Sequence, residues 1–84
     1  MSQGEFFEPI TVGAIFKPPA SVKPAWFIWS GRKIRILRTN HVWSRREGVA
    51  TLYHYSVTDG TDTFHLVMNN STQSWHLEGV QVNA

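Results

Sequence analysis

The chain has 84 residues, of which 42% are hydrophobic and 13% aromatic, and its formal net charge is +2 at pH 7. This length predicts one domain spanning residues 1–84, and the aromatic content excludes an intrinsically disordered chain. The absence of cysteine excludes a disulfide scaffold, a thiolate metal site and a cysteine nucleophile, and it fits the cytoplasm. The first ten residues lack a secretory signal, and no apolar run approaches the ~20 residues of a membrane span, so we expect no membrane association.

Apolar and polar residues alternate along the chain, and no segment has the apolar period of a helix. Residues 1–8 are expected to be flexible, and they precede a first strand at 9–16 and an extended proline-rich connector at 17–24. Five further strands are predicted at about 25–30, 33–46, 49–58, 62–69 and 73–82. The sequence therefore predicts an all-β domain of about six antiparallel strands. These form a meander curled into a small barrel or roll, with SH3-like as the first candidate shape.

The predicted turns between these strands fix a register. The turns are Ser30-Gly31-Arg32, Glu47-Gly48, Asp59-Gly60 and Asn70-Ser71. The last three pair apolar residues on one face: Val42 with Tyr53, Tyr53 with Leu66, Tyr55 with Phe64, Leu66 with Trp75, and Phe64 with Leu77. A slip of one residue would turn the whole set to the other face. In the first hairpin, the same alternation puts four residues on the core face: Phe27, Trp29, Ile34 and Ile36.

Four histidines form a row in this register, on the face opposite the core: His41, His54, His65 and His76. Neighbouring Cβ atoms in such a row are about 5 Å apart, and imidazoles at that spacing can ligate Zn²⁺, Ni²⁺ or Cu²⁺. Glu78, two residues after His76, is the nearest carboxylate. The alternative is a row of half-exposed polar residues with no bound cofactor. In either case, protonation near pH 6 places like charges side by side, so we expect stability to fall through the histidine range.

An apolar strip shares the histidine face, because the same register places Trp43 opposite Leu52 and Leu52 opposite Val67. One interpretation is that another part of the chain covers the strip, such as Phe6, Phe7 or the first strand. The other is a partner surface, which includes contact with a second copy. The protein is then a monomer or a homodimer.

Positive charge is concentrated in the first half of the chain. All eight Lys and Arg lie within residues 1–46 with two acidic residues, whereas residues 47–84 contain four acidic residues. Such asymmetry can mark an anionic partner such as single-stranded nucleic acid, which binds to cations and aromatic rings. The candidate residues for this surface are Trp26, Arg32, Lys33, Arg35, Arg38, Arg45 and Arg46.

Strand alternation divides these cations between two faces. Lys33, Arg35 and Arg45 point one way in an unbroken strand, and the other three arginines point the opposite way. A bulge near residues 37–40 would merge the two sets. The alternative is a solvated strand whose arginines pair with acidic residues of its neighbours. No HExxH, GxSxG, P-loop or paired-carboxylate pattern occurs, so we expect a non-catalytic protein.

Three segments together resemble a bacterial family of small uncharacterised β domains: PAWFIWSGRKIRI at 24–36, YHYSV at 53–57 and FHLVMNNSTQSWHL at 64–77. The shared pattern is Pro-x-x-Phe-x-Trp-x-Gly-Arg, a tyrosine-rich strand, then an Asn- or Asp-rich turn and Trp-x-Leu. It is carried here by Pro24, Phe27, Trp29, Gly31, Arg32, Tyr53, Tyr55, Trp75 and Leu77.

Some members of that family sit at the tail of proteins similar to lesion-bypass DNA polymerases. The resemblance therefore implies an accessory role around DNA repair, and it implies no catalytic residue. We expect a binding module for protein or nucleic acid. A metal-binding module using the histidine row and an oligomeric structural protein are the alternatives.

Overall fold

The computed structural model describes residues 3–17 and 21–82, and these residues form strands and turns with no helix. The seven strands are β1 Gln3–Lys17, β2 Ser21–Trp29, β3 Arg32–Arg35, β4 Arg38–Glu47, β5 Ala50–Thr58, β6 Thr63–Asn69 and β7 Ser74–Gln81. They form one antiparallel sheet in the order β3-β2-β1-β7-β6-β5-β4, curled into a half-barrel. This confirms the predicted all-β antiparallel fold. No helix in the described part of the chain is long and apolar enough to cross a membrane.

The N-terminal strand β1 lies inside the sheet, third of the seven strands, where it joins two meanders. Its first half pairs with β7 and its second half pairs with β2. Residues 3–8 of the segment predicted to be flexible belong to β1, and residues 1–2 lie outside the described residues. Of the predicted connector, Lys17 ends β1 and residues 21–24 begin β2, whereas residues 18–20 lie outside the described residues.

Rings from both meanders meet on the concave face, which holds the core. Phe27 of β2 contacts Phe64 of β6 edge to face, with ring centroids 5.1 Å apart. The Tyr55 hydroxyl of β5 donates to the backbone oxygen of Val22 at 3.0 Å. Such rings bury roughly 150–250 Å² each, which is how a small domain builds a sufficient core. The predicted core face of the first hairpin is confirmed by the burial of Phe27 and Ile34 and by the packing of Trp29 and Ile36.

The predicted register is wrong by two residues at each of the last three hairpins. Tyr55 pairs with Val42 on β4 and with Leu66 on β6, and Leu66 pairs with Leu77 on β7. A shift of two residues preserves the alternation of side chains between faces. The residues predicted for the core face therefore lie there even though their partners differ.

Side-chain hydrogen bonds account for the two wider turns. Oδ1 of Asp59 accepts two backbone N–H groups at 2.8 Å, and Oδ1 of Asn69 accepts the N–H of Ser71 at 2.9 Å. Asx turns of this kind hold four-residue loops at 59–62 and 70–73 in place of the predicted two-residue loops. The other two hairpins turn at Ser30-Gly31 and Gly48-Val49.

The predicted strand 33–46 is interrupted where it passes between the two edges of the sheet. The N–H of Ile36 donates to the carbonyl of Ala25 on β2 at 3.0 Å, and the N–H of Leu37 donates to Thr58 on β5 at 2.8 Å. Because residues 36 and 37 are adjacent in the chain, these two bonds keep the edges of the curled sheet close together. A bulge follows at Asn40, where the β4–β5 register shifts.

Candidate functional site

Three adjacent strands bring four polar side chains together on the convex face. His54 comes from β5, His65 from β6, and His76 and Glu78 from β7. Nδ1 of His54 lies 2.8 Å from Nε2 of His65, and Nε2 of His76 lies 3.0 Å from Oε2 of Glu78. Nδ1 of His65 is 3.8 Å from Oε1 of Glu78. These four residues are the histidine cluster.

Glu78 shares the convex face with His76 by strand alternation, and it lies in a bulge of β7. Leu66 pairs with Leu77, but the preceding His65 pairs with Gly79, so Glu78 has no cross-strand partner. A bulge of this kind leaves one residue unpaired. From the sequence, Glu78 is predicted only to be the carboxylate nearest to the histidines. A lone glycine inside a strand pattern, here Gly79, is the signal that would have indicated the bulge.

The four histidines do not form the predicted straight row, because the two-residue shift sets His54 and His65 on a diagonal. His41 lies on the exposed edge strand β4 with its ring centroid 5.3 Å from that of Trp43. Among the described residues, the group with convergent ligand atoms is His54, His65 and Glu78, whose ligand atoms lie within 4.8 Å of one another. His41 is therefore outside the group, and a carboxylate replaces it.

Two aromatic rings cover the histidine cluster. Trp43 stacks on His54 with centroids 5.2 Å apart and an interplanar angle of 11°, and it lies 5.3 Å from the ring of His65. Phe7 of β1 stacks on His76 at 3.8 Å. As a result, His54 and His76 are only 5% and 7% exposed.

Burial and hydrogen bonding set the charges of the cluster. Burial lowers the pKa of His54, and the neighbouring His65 lowers it further. Burial alone would raise the pKa of Glu78, but the hydrogen bond from His76 and the charges of the histidines outweigh it and lower that pKa. At neutral pH the cluster therefore presents a neutral imidazole at His54 and a carboxylate at Glu78. Nε2 of His54 is buried and has no hydrogen-bond partner among the described residues.

The predicted apolar partner strip is not a continuous surface. Val67 has no exposed surface, Leu52 is half-buried, and Trp43 is 38% exposed. In the observed register Trp43 lies opposite His54, and Leu52 lies opposite Arg45. Val67 is therefore unavailable to a partner, and Trp43 covers histidines instead of extending an apolar row.

A bulge lies at Asn40, within the predicted range 37–40, but it does not merge the two predicted sets of cations on one face. From the strand pairing, the convex set is Lys33, Arg35, Arg38 and Arg45, whereas Arg32 and Arg46 lie on the concave side. Two of the convex cations have polar neighbours within β4. Nε of Arg38 donates to Asn40 at 3.0 Å, and Arg45 lies 3.6 Å from Glu47.

The β2–β3 hairpin brings Trp26, Lys33 and Arg35 together. Trp26 pairs directly with Arg35, and the Lys33 ammonium lies 4.6 Å from the centroid of the Trp26 ring. The ring also lies against Gly13 of β1, in the space that a Cβ would fill. Ile28, 36% exposed, is the direct partner of Lys33. We call Trp26, Ile28, Lys33 and Arg35 the tryptophan patch.

The concave face opens into a groove of about 1020 Å³ that the sequence did not predict. Its lining includes Phe16, which is 79% exposed, together with Lys23, Tyr53 and Trp75. Strand alternation in the sequence predicts Tyr53 and Trp75 on the core face. Alternation predicts which residues face inward, but it does not predict where the curled sheet leaves them uncovered.

Comparisons of the chain with models of protein families, with curated proteins and with solved structures found no match. Function is therefore inferred from the geometry and charge of the residues described above.

Proposed function

We propose that the protein is a non-catalytic module that binds single-stranded nucleic acid through the tryptophan patch. The observation that carries this proposal is an indole ring on the convex face, Trp26, with the Lys33 ammonium over it and Arg35 as its cross-strand partner. Sites for single strands combine aromatic faces, on which bases stack, with cations that contact phosphates. The patch contains both within one hairpin.

The surroundings of the patch favour an anion. Among the described side chains of β1, β2 and β3, Glu8 is the one carboxylate, and its Oε1 accepts a hydrogen bond from Nε1 of Trp29 at 3.1 Å. Glu8 pairs with Leu77, which places it on the concave side. No described carboxylate of these strands therefore competes with a phosphate for Lys33 or Arg35.

Lys33 connects the two kinds of contact. In the free protein its ammonium lies over the Trp26 ring, and such a contact at an exposed site is worth about 0.5–1 kcal/mol. A phosphate that draws the ammonium away uncovers the ring for a base, and stacking is worth about 1–3 kcal/mol per base. The exchange is favourable because the free energies of base stacking and of the phosphate contact together exceed that of the lost contact between Lys33 and the Trp26 ring.

The resemblance to domains at the tail of proteins similar to lesion-bypass DNA polymerases favours DNA as the ligand and a role around DNA repair. We place this activity in the bacterial cytoplasm, in keeping with a chain that contains no cysteine.

Titration of ¹⁵N-labelled protein with oligothymidylate at low salt tests the proposal. We expect amide shifts concentrated in residues 26–35. The slope of log K against log salt should be about −1.4, because each of two phosphate contacts contributes about −0.7. Trp26→Ala should weaken binding about 5- to 150-fold, which corresponds to the ~1–3 kcal/mol of one stacked base.

A matched pair of double variants separates the patch from general charge. The double variant Lys33→Ala/Arg35→Ala should lose most of the salt dependence of oligonucleotide binding. The control Lys23→Ala/Arg45→Ala loses the same charge elsewhere and should retain that salt dependence. Equal losses in both pairs would show that net charge alone binds the oligonucleotide. Shifts confined to the groove, or no shift in residues 26–35, would also contradict the proposal.

A further inference from the structure

We propose that the histidine cluster is a binding site for a divalent transition-metal ion of the Zn²⁺ class, with His54, His65 and Glu78 as the ligands. The site lies on β5, β6 and β7, whereas the tryptophan patch lies on β2 and β3. The two proposals therefore use different residues, and either can fail without the other.

The three ligand side chains already converge. Their ligand atoms lie within 4.8 Å of one another. Ligand atoms around a tetrahedral Zn²⁺ with bonds of 2.0–2.2 Å are about 3.3–3.6 Å apart. Nδ1 of His54 and Nε2 of His65, now 2.8 Å apart, would open slightly, and Glu78 would move inward. Small side-chain rotations are sufficient, because the strands already hold the three residues side by side.

The donor set selects the class of ion. Two imidazole nitrogens and one carboxylate oxygen suit Zn²⁺, Cu²⁺ or Ni²⁺, whereas Ca²⁺ and Mg²⁺ require sites built from oxygen ligands. Three protein ligands leave a fourth position for water or for a further donor. The ligand set also corrects the row predicted from the sequence, since Glu78 takes part and His41 does not.

His76 supports the site as a positioning residue. Its Nε2 donates to Oε2 of Glu78 at 3.0 Å, while Oε1 of the same carboxylate lies 3.8 Å from Nδ1 of His65. Outer contacts of this kind fix the orientation of a ligating carboxylate, and their loss typically lowers metal affinity about 10- to 100-fold. Glu78 lies in the β7 bulge, next to both histidines.

The environment of the site is enclosed and incompletely hydrogen-bonded. Trp43 stacks on His54 and Phe7 stacks on His76, so aromatic surface flanks the polar atoms. His54 is 5% exposed, and its Nε2 has no hydrogen-bond partner among the described residues. Buried polar atoms are normally satisfied. This unpartnered Nε2 is not the ligand atom of the ring, which is Nδ1, so the convergence of the ligand atoms and the aromatic enclosure are what support the site.

Isothermal titration of the full chain with ZnCl₂ alone tests the site. We expect one Zn²⁺ per chain and no competition from Mg²⁺ or Ca²⁺. His65→Gln and Glu78→Gln should each weaken Zn²⁺ binding by more than about 100-fold, and His76→Gln should weaken it about 10- to 100-fold. His41→Gln is the matched control on the exposed edge strand, and it should bind within twofold of the unchanged protein.

Imidazole ¹⁵N spectra of the unchanged protein provide a readout that does not depend on how the variants fold. Zn²⁺ should shift the ring nitrogens of His54 and His65 and leave those of His41 in place. Binding at equal strength in Glu78→Gln and His65→Gln would overturn the proposal. The proposal would also be overturned if His41→Gln lost as much Zn²⁺ affinity as the ligand variants, or if the protein bound no Zn²⁺ at millimolar concentration.

Discussion

The histidine cluster and the tryptophan patch lie on the same convex face and have opposite chemistry. In the cluster, Trp43 covers the imidazoles of His54 and His65, and the carboxylate of Glu78 lies beside them. In the patch, Trp26 lies under the Lys33 ammonium and pairs with Arg35, on a hairpin at one edge of the sheet. The first arrangement favours a cation, and the second favours an anion.

The difference shows that the sheet itself does not determine what its face binds. Both regions consist of an indole ring over an antiparallel ladder, and both rest on the same core. Their charges differ because Glu78 lies among the histidines of one region, whereas Glu8, the one carboxylate among the described side chains of β1, β2 and β3, lies on the concave side. The placement of a single carboxylate is therefore enough to change the chemistry of a surface.

The largest expected effect is a loss of folding stability in Phe64→Ala, because Phe64 belongs to the core on which both regions rest. Phe64 is 1% exposed and contacts Phe27, next to the patch, while its own neighbour His65 belongs to the cluster. Removing a buried phenylalanine costs about 3–5 kcal/mol, a large part of the ~5–15 kcal/mol that stabilises a typical domain. Urea unfolding measures the change.

Phe16→Ala is the control for this change, because Phe16 is 79% exposed. Its effect on the free energy of unfolding should stay within about 0.5 kcal/mol. Equal losses in the two variants would show that Phe64 does not occupy the common core of the two regions.

A smaller effect confined to the tryptophan patch is expected from Gly13→Ala. The added Cβ would overlap the Trp26 ring, so the ring must move, and overpacking of this kind typically costs about 1–3 kcal/mol. Oligothymidylate affinity should change while Zn²⁺ affinity stays the same. Thr11→Ala, on the same face of β1, is the control and should alter neither. An altered Zn²⁺ affinity in Gly13→Ala would contradict the separation of the two regions.

The smallest expected effect is the pH dependence of the metal-free histidine cluster. The His54 pKa is lowered in the folded state, so below its unfolded value of 6.5 the unfolded chain binds a proton that the folded protein does not. Stability is therefore retained above pH 6.5 and falls as pH drops towards the folded pKa, by at most about 1.4 kcal/mol per pH unit for one proton. The Glu78 pKa, lowered from 4.5, adds a further loss at more acidic pH.

The charged groups that face His54 are on each neighbouring strand: Arg45 on β4, His65 on β6, and His76 and Glu78 on β7. Urea unfolding between pH 7.5 and 5.5, with a chelator present, measures the dependence. The pH dependence of the free energy of unfolding should become flat in His54→Gln and should be retained in His41→Gln. A flat profile in the unchanged protein would argue that His54 is protonated equally in both states.

Which face each strand residue occupies could be predicted from the sequence, but which residue it pairs with could not. Alternation has a period of two, so the core face remained correct when each hairpin shifted by two residues. The shift at two hairpins follows from hydrogen bonds within the turns made by Asp59 and Asn69. Those bonds outweighed the preference of an Asp-Gly pair for a two-residue turn.

The candidate sites were predictable only where they depend on neighbouring strands. Trp26, Lys33 and Arg35 share a face because one tight hairpin joins them, and the sequence indicates that hairpin. By contrast, the contact of Trp26 with Gly13 and that of Phe7 with His76 require β1 to lie between β2 and β7. Pairing between distant segments and the bulge at Glu78 depend on packing that periodicity does not describe.

The most direct test of the opposite charge preferences is a sequential titration of one ¹⁵N-labelled sample, first with Zn²⁺ and then with oligothymidylate. We expect Zn²⁺ to shift His54, His65 and Glu78, and the oligonucleotide to shift residues 26–35. The second set of shifts should be the same whether or not Zn²⁺ is bound. Shifts of one common set of residues by both ligands, or no response at either region, would contradict the assignment of separate cation and anion sites to this face.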